Sequence, residues 1–402
     1  MRMLHTSDWH LGAFLEEVSR EADHRQFLDW LVATIQEERI ELLLVAGDVF
    51  DSATPSAEAQ ALYYRFLHRL QGTGLRQAVV VGGNHDSPSR LDAPRDLLDA
   101  FGVHVVGGLA GAQDLDRCLC PVPDPDGQVR LVVLAVPFVH EWRLGYRSAE
   151  GEPQAQQEQL GAPFRQLYAD LADRAQARWP GVPLIATGHL AVAGSEKDDA
   201  PQEIHLIGSL GGLPTGIFDP RFAYVALGHI HRSYPVGGTR AWYSGTPLAM
   251  NAREGRSPRR VNLLELAPDG TVAVTPRIIP GTRQVMVCAG PLDTVRAQLA
   301  ALAWTEPLPP LVRAEVWVEA QQVGVEEELR LLVEGLEPRP VLVAIQQTRV
   351  REGVDGVPEP VPQRLDQLTP RDVFRMLCEA RGESHAELAA AFETLLAAQV
   401  VE

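Results

Sequence analysis

A chain of 402 residues, 45% of them hydrophobic, is long enough for two or three domains with ordinary globular cores. No run approaches the roughly 18 apolar residues of a membrane span, and four cysteines with no CxxC pair (Cys118, Cys120, Cys288, Cys378) exclude a disulfide framework or thiolate zinc site. The formal net charge of −17 lacks the basic footprint of a general nucleic-acid binder, although local arginine clusters and bound cations can still set the field at a site.

The chain opens on a strand, Met3–Ser7, with no apolar leader before it, which predicts a cytoplasmic protein. A helix follows over Ala22–Glu37, with Phe27, Leu28, Leu31, Val32 and Ile35 at helical spacing. Leu42–Ala46 is apolar throughout, as in a strand buried on both faces; Gly47 stops it and Asp48 follows. Ser56, after Pro55, caps a helix to Leu70. A strand at Ala78–Val81 and a helix at Leu91–Ala100 come next, then strands at Val103–Val106 and Val129–Val136. Gln154–Arg178 reads as one helix closed by Pro180-Gly181. Strands resume at Leu184–Thr187 and Ala223–Leu227, and shorter ones at Arg240–Ser244, Val261–Leu266 and Thr271–Pro276 predict antiparallel pairing. The alternation predicts a layered α/β sandwich over residues 1–281.

A small α+β unit is expected over 282–350. It has strands at Val285–Cys288 and Val341–Val350, helices at Leu292–Ala303 and Val325–Leu336, and a half-buried strand in which Val312, Ala314, Val316 and Val318 alternate with polar residues. Residues 351–367 hold Pro358, Pro360 and Pro362 with Gly353 and Gly356, the composition of a linker. Residues 368–402 predict two helices, one opened by Thr369-Pro370 and one by the capping box Ser384/Glu387. Val373, Phe374, Leu377 and Cys378 form one apolar stripe, and Leu388, Phe392, Leu395 and Leu396 another, so the tethered pair is expected to dock on a partner chain.

Five apolar runs end in residues that bind metals. Asp8 and His10 follow the first strand, two apart and so on one face. Asp48, Asn84 and His189 follow later strands, and His229 and His231 repeat the two-apart spacing. Glycine immediately precedes Asp48, Asn84, His189 and His229, letting the backbone bend sharply. Taken singly, each is more often a turn residue; together they form a nitrogen-and-oxygen donor set without thiolate, suited to manganese, iron or zinc. Seven donors exceed one ion's coordination but fit two ions about 3.5–4 Å apart sharing one carboxylate, for which Asp48 is the natural bridge. His85, adjacent to Asn84, should point away from the ions and is the candidate proton donor to a leaving oxygen. Asp86 could hold that loop through backbone amides. Lys197 is the only lysine, so phosphate contacts would fall to arginine; Arg90 and Arg95, and the cluster Arg253, Arg256, Arg259 and Arg260, are the candidates, with Arg90, Arg253 and Arg256 carried forward as DNA contacts.

The segments Asp8-Trp9-His10, Gly47-Asp48, Gly83-Asn84-His85-Asp86, Gly188-His189 and Gly228-His229-Ile230-His231 resemble the calcineurin-type metallophosphoesterases. The longer strings His5–Gly12, Ala46–Asp51, Ala186–His189 and Ala226–His231 resemble the SbcD-type bacterial nucleases within that family. The resemblance implies two Mn2+ ions, with Mg2+ as substitute. One would be held by Asp8, His10, Asp48 and His231, the other by Asp48, Asn84, His189 and His229, and His85 would match the family's proton-donating histidine. It also implies a capping domain, a homodimer within a heterotetramer, and C-terminal helices that bind an SbcC-type SMC-like ATPase. The implied activity is exonuclease action on double-stranded ends and endonuclease action on single strands and hairpins, in nucleoid-associated DNA repair and recombination. Asp51 stands where archaeal and eukaryotic relatives carry a second active-site histidine, which leaves that histidine's role open here. Two rivals are a small-molecule phosphodiesterase on the same scaffold and a structural component that docks an ATPase on DNA. The extra domain and tail weigh against the first, and the intact donor set against the second.

Overall fold

A computed structural model describes residues 1–109, 112–146, 153–192, 212–252, 254–319, 322–352 and 358–360, together with Phe374 and Phe392. The chain divides into two compact units, 1–286 with 304–311, and 287–303 with 312–402. This moves the boundary expected after residue 281. Arg283 Nε donates to Pro309 O at 2.6 Å and Leu311 N–H to Gln284 O at 2.9 Å, stitching 304–311 back onto the end of the first unit.

The first unit is a two-sheet sandwich. In one sheet Arg2–Thr6, Leu42–Ala46, Gln77–Val81 and Val103–Val106 run parallel, and the hairpin of Arg260–Leu266 with Val272–Ile278 lies antiparallel beside Arg2–Thr6. In the other, Val129–Leu134, Leu184–His189, Phe222–Gly228 and Ala241–Tyr243 run parallel, with Leu119–Pro123 and Tyr234–Pro235 antiparallel at the edges. Strand alternation sorts the core. Leu42 and Leu44 pack toward the second sheet with Ile185 and Ala226, while Leu43 and Val45 pack on Phe27, Leu31, Leu62 and Phe66 of the helices Glu21–Glu37 and Ala57–Arg69. Ser56 caps the second of these, its hydroxyl accepting from Ala59 N–H at 3.2 Å. The helix Pro153–Arg178 contributes Leu160, Phe164, Leu171 and Ala175 to the same core as the second sheet.

Three expectations change. The helix expected over Leu91–Ala100 is two short helices, Pro88–Asp92 and Arg95–Asp99, parted at Pro94, which has no N–H to continue the ladder. Leu119–Pro123 is a strand that its two prolines concealed, and it sits at a sheet edge where proline is tolerated. Ala241–Tyr243 pairs parallel to Phe222–Gly228, not only antiparallel as expected, because the chain crosses over before returning.

The second unit is a four-stranded sheet in the order Val285–Gly290, Leu311–Val318, Val341–Glu352, Pro358–Pro360, carrying the helices Leu292–Ala300 and Val325–Glu334. Val312, Ala314, Val316 and Val318 are buried with Val295, Leu299, Leu329 and Val333. Within the expected linker 351–367, Pro358–Pro360 pairs antiparallel with Val350–Glu352 as an edge strand, and the rest lies outside the described residues. The expected helices over 368–402 also lie outside them, except that Phe374 and Phe392, one from each predicted stripe, stack with centroids 4.1 Å apart. Among the described residues no helix is long and apolar enough to cross a membrane. Cys118, Cys120 and Cys288 are free thiols.

Candidate metal centre

All seven predicted donors sit at or just past the C-terminal ends of parallel strands, three in one sheet and two in the other: Arg2–Thr6, Leu42–Ala46 and Gln77–Val81, then Leu184–His189 and Phe222–Gly228. The loops are tied together by backbone. Asp8 N–H donates to Gly47 O and His10 N–H to Asp48 O, each at 3.0 Å, and Leu11 N–H to Val49 O at 2.9 Å. Two bonds cross between the sheets: His229 N–H to Asp8 Oδ1 and His189 Nδ1–H to Ala46 O, both 2.9 Å. Asp8, His10, Asp48 and His229 have φ of 53°, 49°, 48° and 91°, left-handed conformations that cost residues with a Cβ about 1–3 kcal/mol each and collect at functional sites. Gly47, at φ 91°, is required twice over, because a Cβ there would strike the His189 ring.

The side chains aim acceptors at acceptors. His189 uses its Nδ1 proton on Ala46 O, which turns the Nε2 lone pair inward, 3.0 Å from Asn84 Oδ1 and 3.2 Å from Asp48 Oδ2. His229 Nδ1 is 3.0 Å from the same Asn84 oxygen. His231 Nδ1 bonds Glu254 Oε1 at 3.2 Å and His10 Nδ1 faces Asp51 Oδ1 at 3.2 Å, which leaves their Nε2 atoms pointing at each other across 3.2 Å. Asp48 Oδ2 is near both groups, 3.2 Å from His189 Nε2 and 3.7 Å from His10 Nε2. Donor atoms of Asp8, His10 and His231 lie within 4.8 Å of one another, as do those of Asp8, Asp48 and His189, so Asp8 stands in both sets. Ser7 Oγ donates to Asp8 Oδ2 and bonds Ser244 Oγ at 2.7 Å. Facing lone pairs and carboxylate oxygens repel unless a proton or cation sits among them, so these clusters, linked by Asp8 and Asp48, are candidates to hold divalent metal.

The same demand for positive charge appears in the protonation equilibria. Burial would raise the Asp48 carboxyl and lower the His189 ring; their attraction overrides both, holding Asp48 well below the usual carboxylate range and lifting His189 to about 9. Burial also opposes charge on His231 and Glu254, but their pairing raises the histidine and lowers the acid. Burial and then the nearby Asp48 push Asp86 up to about 6, against the pull of three backbone amides. Those amides are Val49, Phe50 and Gly83 N–H, at 3.0, 2.9 and 2.8 Å, so Asp86 clamps the Asp48 and Asn84 loops together as expected.

His85 departs from simple alternation. Its N–H donates to Asp48 Oδ1 at 2.9 Å, its Nδ1 bonds Asp51 O at 2.9 Å, and its ring stands edge-on to His10 with centroids 4.9 Å apart. It therefore lines the same cavity of about 150 Å³ as His10, Asp48, Asp51, Asn84, His229, His231 and Met250, because the residues past Val81 turn rather than extend. Arg90 is exposed, near the loop but bonded to none of these groups. Arg253 and the side chain of Arg256 lie outside the described residues. Arg259 is buried, donating to His231 O at 3.1 Å and Glu254 O at 2.6 Å, so it supports the site rather than facing solvent. Glu254 escaped the sequence reading. Its one local signal is the turn in which its N–H donates to Asn251 Oδ1 at 3.0 Å.

The calcineurin-like phosphoesterase family matches residues 1–233. The SbcD component of the SbcCD nuclease of Escherichia coli is 34% identical over 96% of this chain and 95% of its own. That of Rhodobacter capsulatus is 41% identical over 78% of both chains, and that of Bacillus subtilis 33% identical over 67% of both. A family match across more than half the chain, ending just beyond the last histidine of the centre, and relatives alike over two thirds or more of its length show that this chain belongs to the calcineurin-like phosphoesterases, within the SbcD family.

Proposed function

We propose that this chain is the nuclease subunit of a DNA end-processing complex and hydrolyses DNA phosphodiester bonds at a two-manganese centre, with magnesium able to substitute. The observation that carries this is the pair of acceptor clusters, Asn84 with His189 and His229, and Asp8 with His10 and His231, joined through Asp48. One ion would be held by Asp8, His10, Asp48 and His231, the other by Asp48, Asn84, His189 and His229. When bound, such a pair supplies charge to the phosphoryl oxygens and activates a water for attack. The protein's own contribution is to hold those donors without reorganisation: the crossed backbone bonds, the Asp86 clamp and Glu254 keep each lone pair aimed inward. His85 holds Asp51 O through Nδ1, which leaves Nε2 to give a proton to the leaving 3′-oxygen.

The relatives' name supports an SbcC-type partner; we further propose that this partner is an SMC-like ATPase bound through the C-terminal helices, in a heterotetramer around a homodimer of this chain. The name also supports nuclease action; we further propose that this is exonuclease action at double-stranded ends and endonuclease action on single strands and hairpins. The test is cleavage of blunt, hairpin and single-stranded DNA with manganese, with and without the ATPase and ATP, alongside a small ester such as bis(p-nitrophenyl) phosphate. Manganese-dependent cutting of single strands, and ATP-stimulated cutting of duplex ends with the partner, is expected. Efficient turnover of the ester with no cleavage of any DNA would place the chain among small-substrate phosphodiesterases instead.

A further inference from the structure

A row of aromatic rings runs outward from the metal centre along one loop. The buried His189 ring meets Phe138 edge-on at 6.3 Å, Phe138 meets His140 edge-on at 4.8 Å, and His140 stacks on Trp142 at 6.0 Å with 22° between planes. Exposure grows along it: His189 is buried, Phe138 half-buried, His140 exposed, and Trp142 59% exposed. Residues two apart share the row, while Val139 between them is buried in the domain. The loop is held to the site itself. Phe138 N–H donates to Gly82 O at 2.8 Å, just before Asn84, and Thr187 Oγ1 donates to Val136 O at 2.9 Å, just before His189. Past it, Arg143 N–H donates to His140 O at 2.9 Å and the Arg143 guanidinium lies 4.9 Å from the Trp142 ring centroid, its Nη1 fixed on Leu109 O at 3.0 Å.

A lone exposed ring is ordinary, but Trp142 ends a run of rings, with a guanidinium beside it, that leads back to the metal centre. The row leads out from the His189 ring and carries the Arg143 cation at its outer end, which suits a polyanionic strand running to the centre. Bases present flat faces to stacking only when unpaired, and such stacking tolerates any sequence. We infer that Trp142, with His140 behind it and Arg143 beside it, is a stacking platform for an unpaired base of the DNA strand leading from the scissile phosphate. The platform positions single-stranded substrate, and does so on the nuclease reading proposed above. Trp142 is here a positioning residue, since it touches the strand and not the reacting atoms.

The experiment measures binding and turnover separately. Affinity for a fluorescein-labelled oligothymidylate is read by anisotropy in chelator, where no cleavage occurs; hydrolysis of bis(p-nitrophenyl) phosphate with manganese reports the centre alone. Trp142→Ala should weaken oligonucleotide binding on the order of tenfold, the usual worth of one stacked base, and leave ester hydrolysis unchanged. Trp142→Phe, which keeps a stacking face, should recover most of that affinity. A single abasic position a few nucleotides from the cut should reproduce the loss in the wild type and add nothing in Trp142→Ala. Equal affinity of wild type and Trp142→Ala, or a loss that phenylalanine does not recover, overturns the platform while leaving the nuclease intact. A wild type that hydrolyses the ester but neither binds nor cuts DNA overturns the nuclease reading, and the platform with it.

Discussion

Asp48 is where the two donor clusters meet, and it is 2% exposed at a strand end rather than within the apolar core. Asp48→Ala should therefore lose both ions and all hydrolysis with its circular-dichroism spectrum intact. Metal analysis showing a normally filled pair in that variant would remove Asp48 as the bridge. His85→Ala should keep its manganese, since Asn84 and not His85 is the proposed ligand, yet slow cleavage by about 10²–10⁴, the usual worth of a positioned acid. Near-normal turnover would reduce His85 to its bond with Asp51 O. Glu254 touches no substrate and fixes the His231 tautomer, so Glu254→Gln should weaken manganese binding by about 10–100-fold, as loss of an outer-shell partner does. Titration calorimetry reads that change directly, and unaltered affinity would leave Glu254 with a structural role through its bonds to Met250, Asn251 and Arg259.

At the scale of elements, the strand-end loops are interlocked rather than independent. A Cβ on Gly228 would collide with the Ala46 carbonyl, the acceptor that orients His189. Gly228→Ala should thus lower manganese affinity although residue 228 holds no metal, and calorimetric affinity equal to wild type would count against this coupling. His5 on the first strand and His24 on the helix Glu21–Glu37 are buried as neutral rings, bonded to Tyr224 Oη at 2.9 Å and Trp9 O at 2.7 Å. Burial lowers their pKa values from 6.5 to about 3 and about 4. As pH falls below 6.5 the unfolded chain takes up these protons first, so their contribution is complete above pH 6.5 and is lost as pH falls toward 4. The urea midpoint in chelator should drop between pH 6.5 and 4.5, and drop less in His24→Gln, which can still donate to Trp9 O. Parallel profiles for the two proteins would assign the acid loss to other groups.

For the whole molecule, the metal-holding unit is complete without the tail: every proposed donor lies within residues 1–286. Phe374 and Phe392, one from each predicted stripe, stack on each other, and the other residues of the stripes lie outside the described ones; truncation tests the proposed docking of this tail on the ATPase. A chain ending at Pro362 should keep its manganese and basal cleavage of single-stranded DNA while losing co-purification with the ATPase and ATP-stimulated duplex cutting. A stable complex after truncation would mean that the partner is held elsewhere.

Much of this protein was legible in one dimension because the signals are local. An all-apolar run such as Leu42–Ala46 is a doubly buried strand whatever surrounds it, and glycine before Asp48, Asn84, His189 and His229 marks turns that only a strand end requires. Those regularities, with the two-apart spacing of Asp8/His10 and His229/His231, single out the seven candidate donors. What they could not supply is who faces whom. His10 meets His231 across 221 residues of sequence, and Glu254, Arg259 and Phe138 join the site from segments whose own patterns are those of turns and loops. The same holds for the return of 304–311 to the first unit and for the proline-bearing strand Pro358–Pro360, which exists because an edge needs bonds on one side only. Periodicity reports burial, which each residue carries in its own chemistry; partnership is decided only when two sheets close and bring their strand ends to one place.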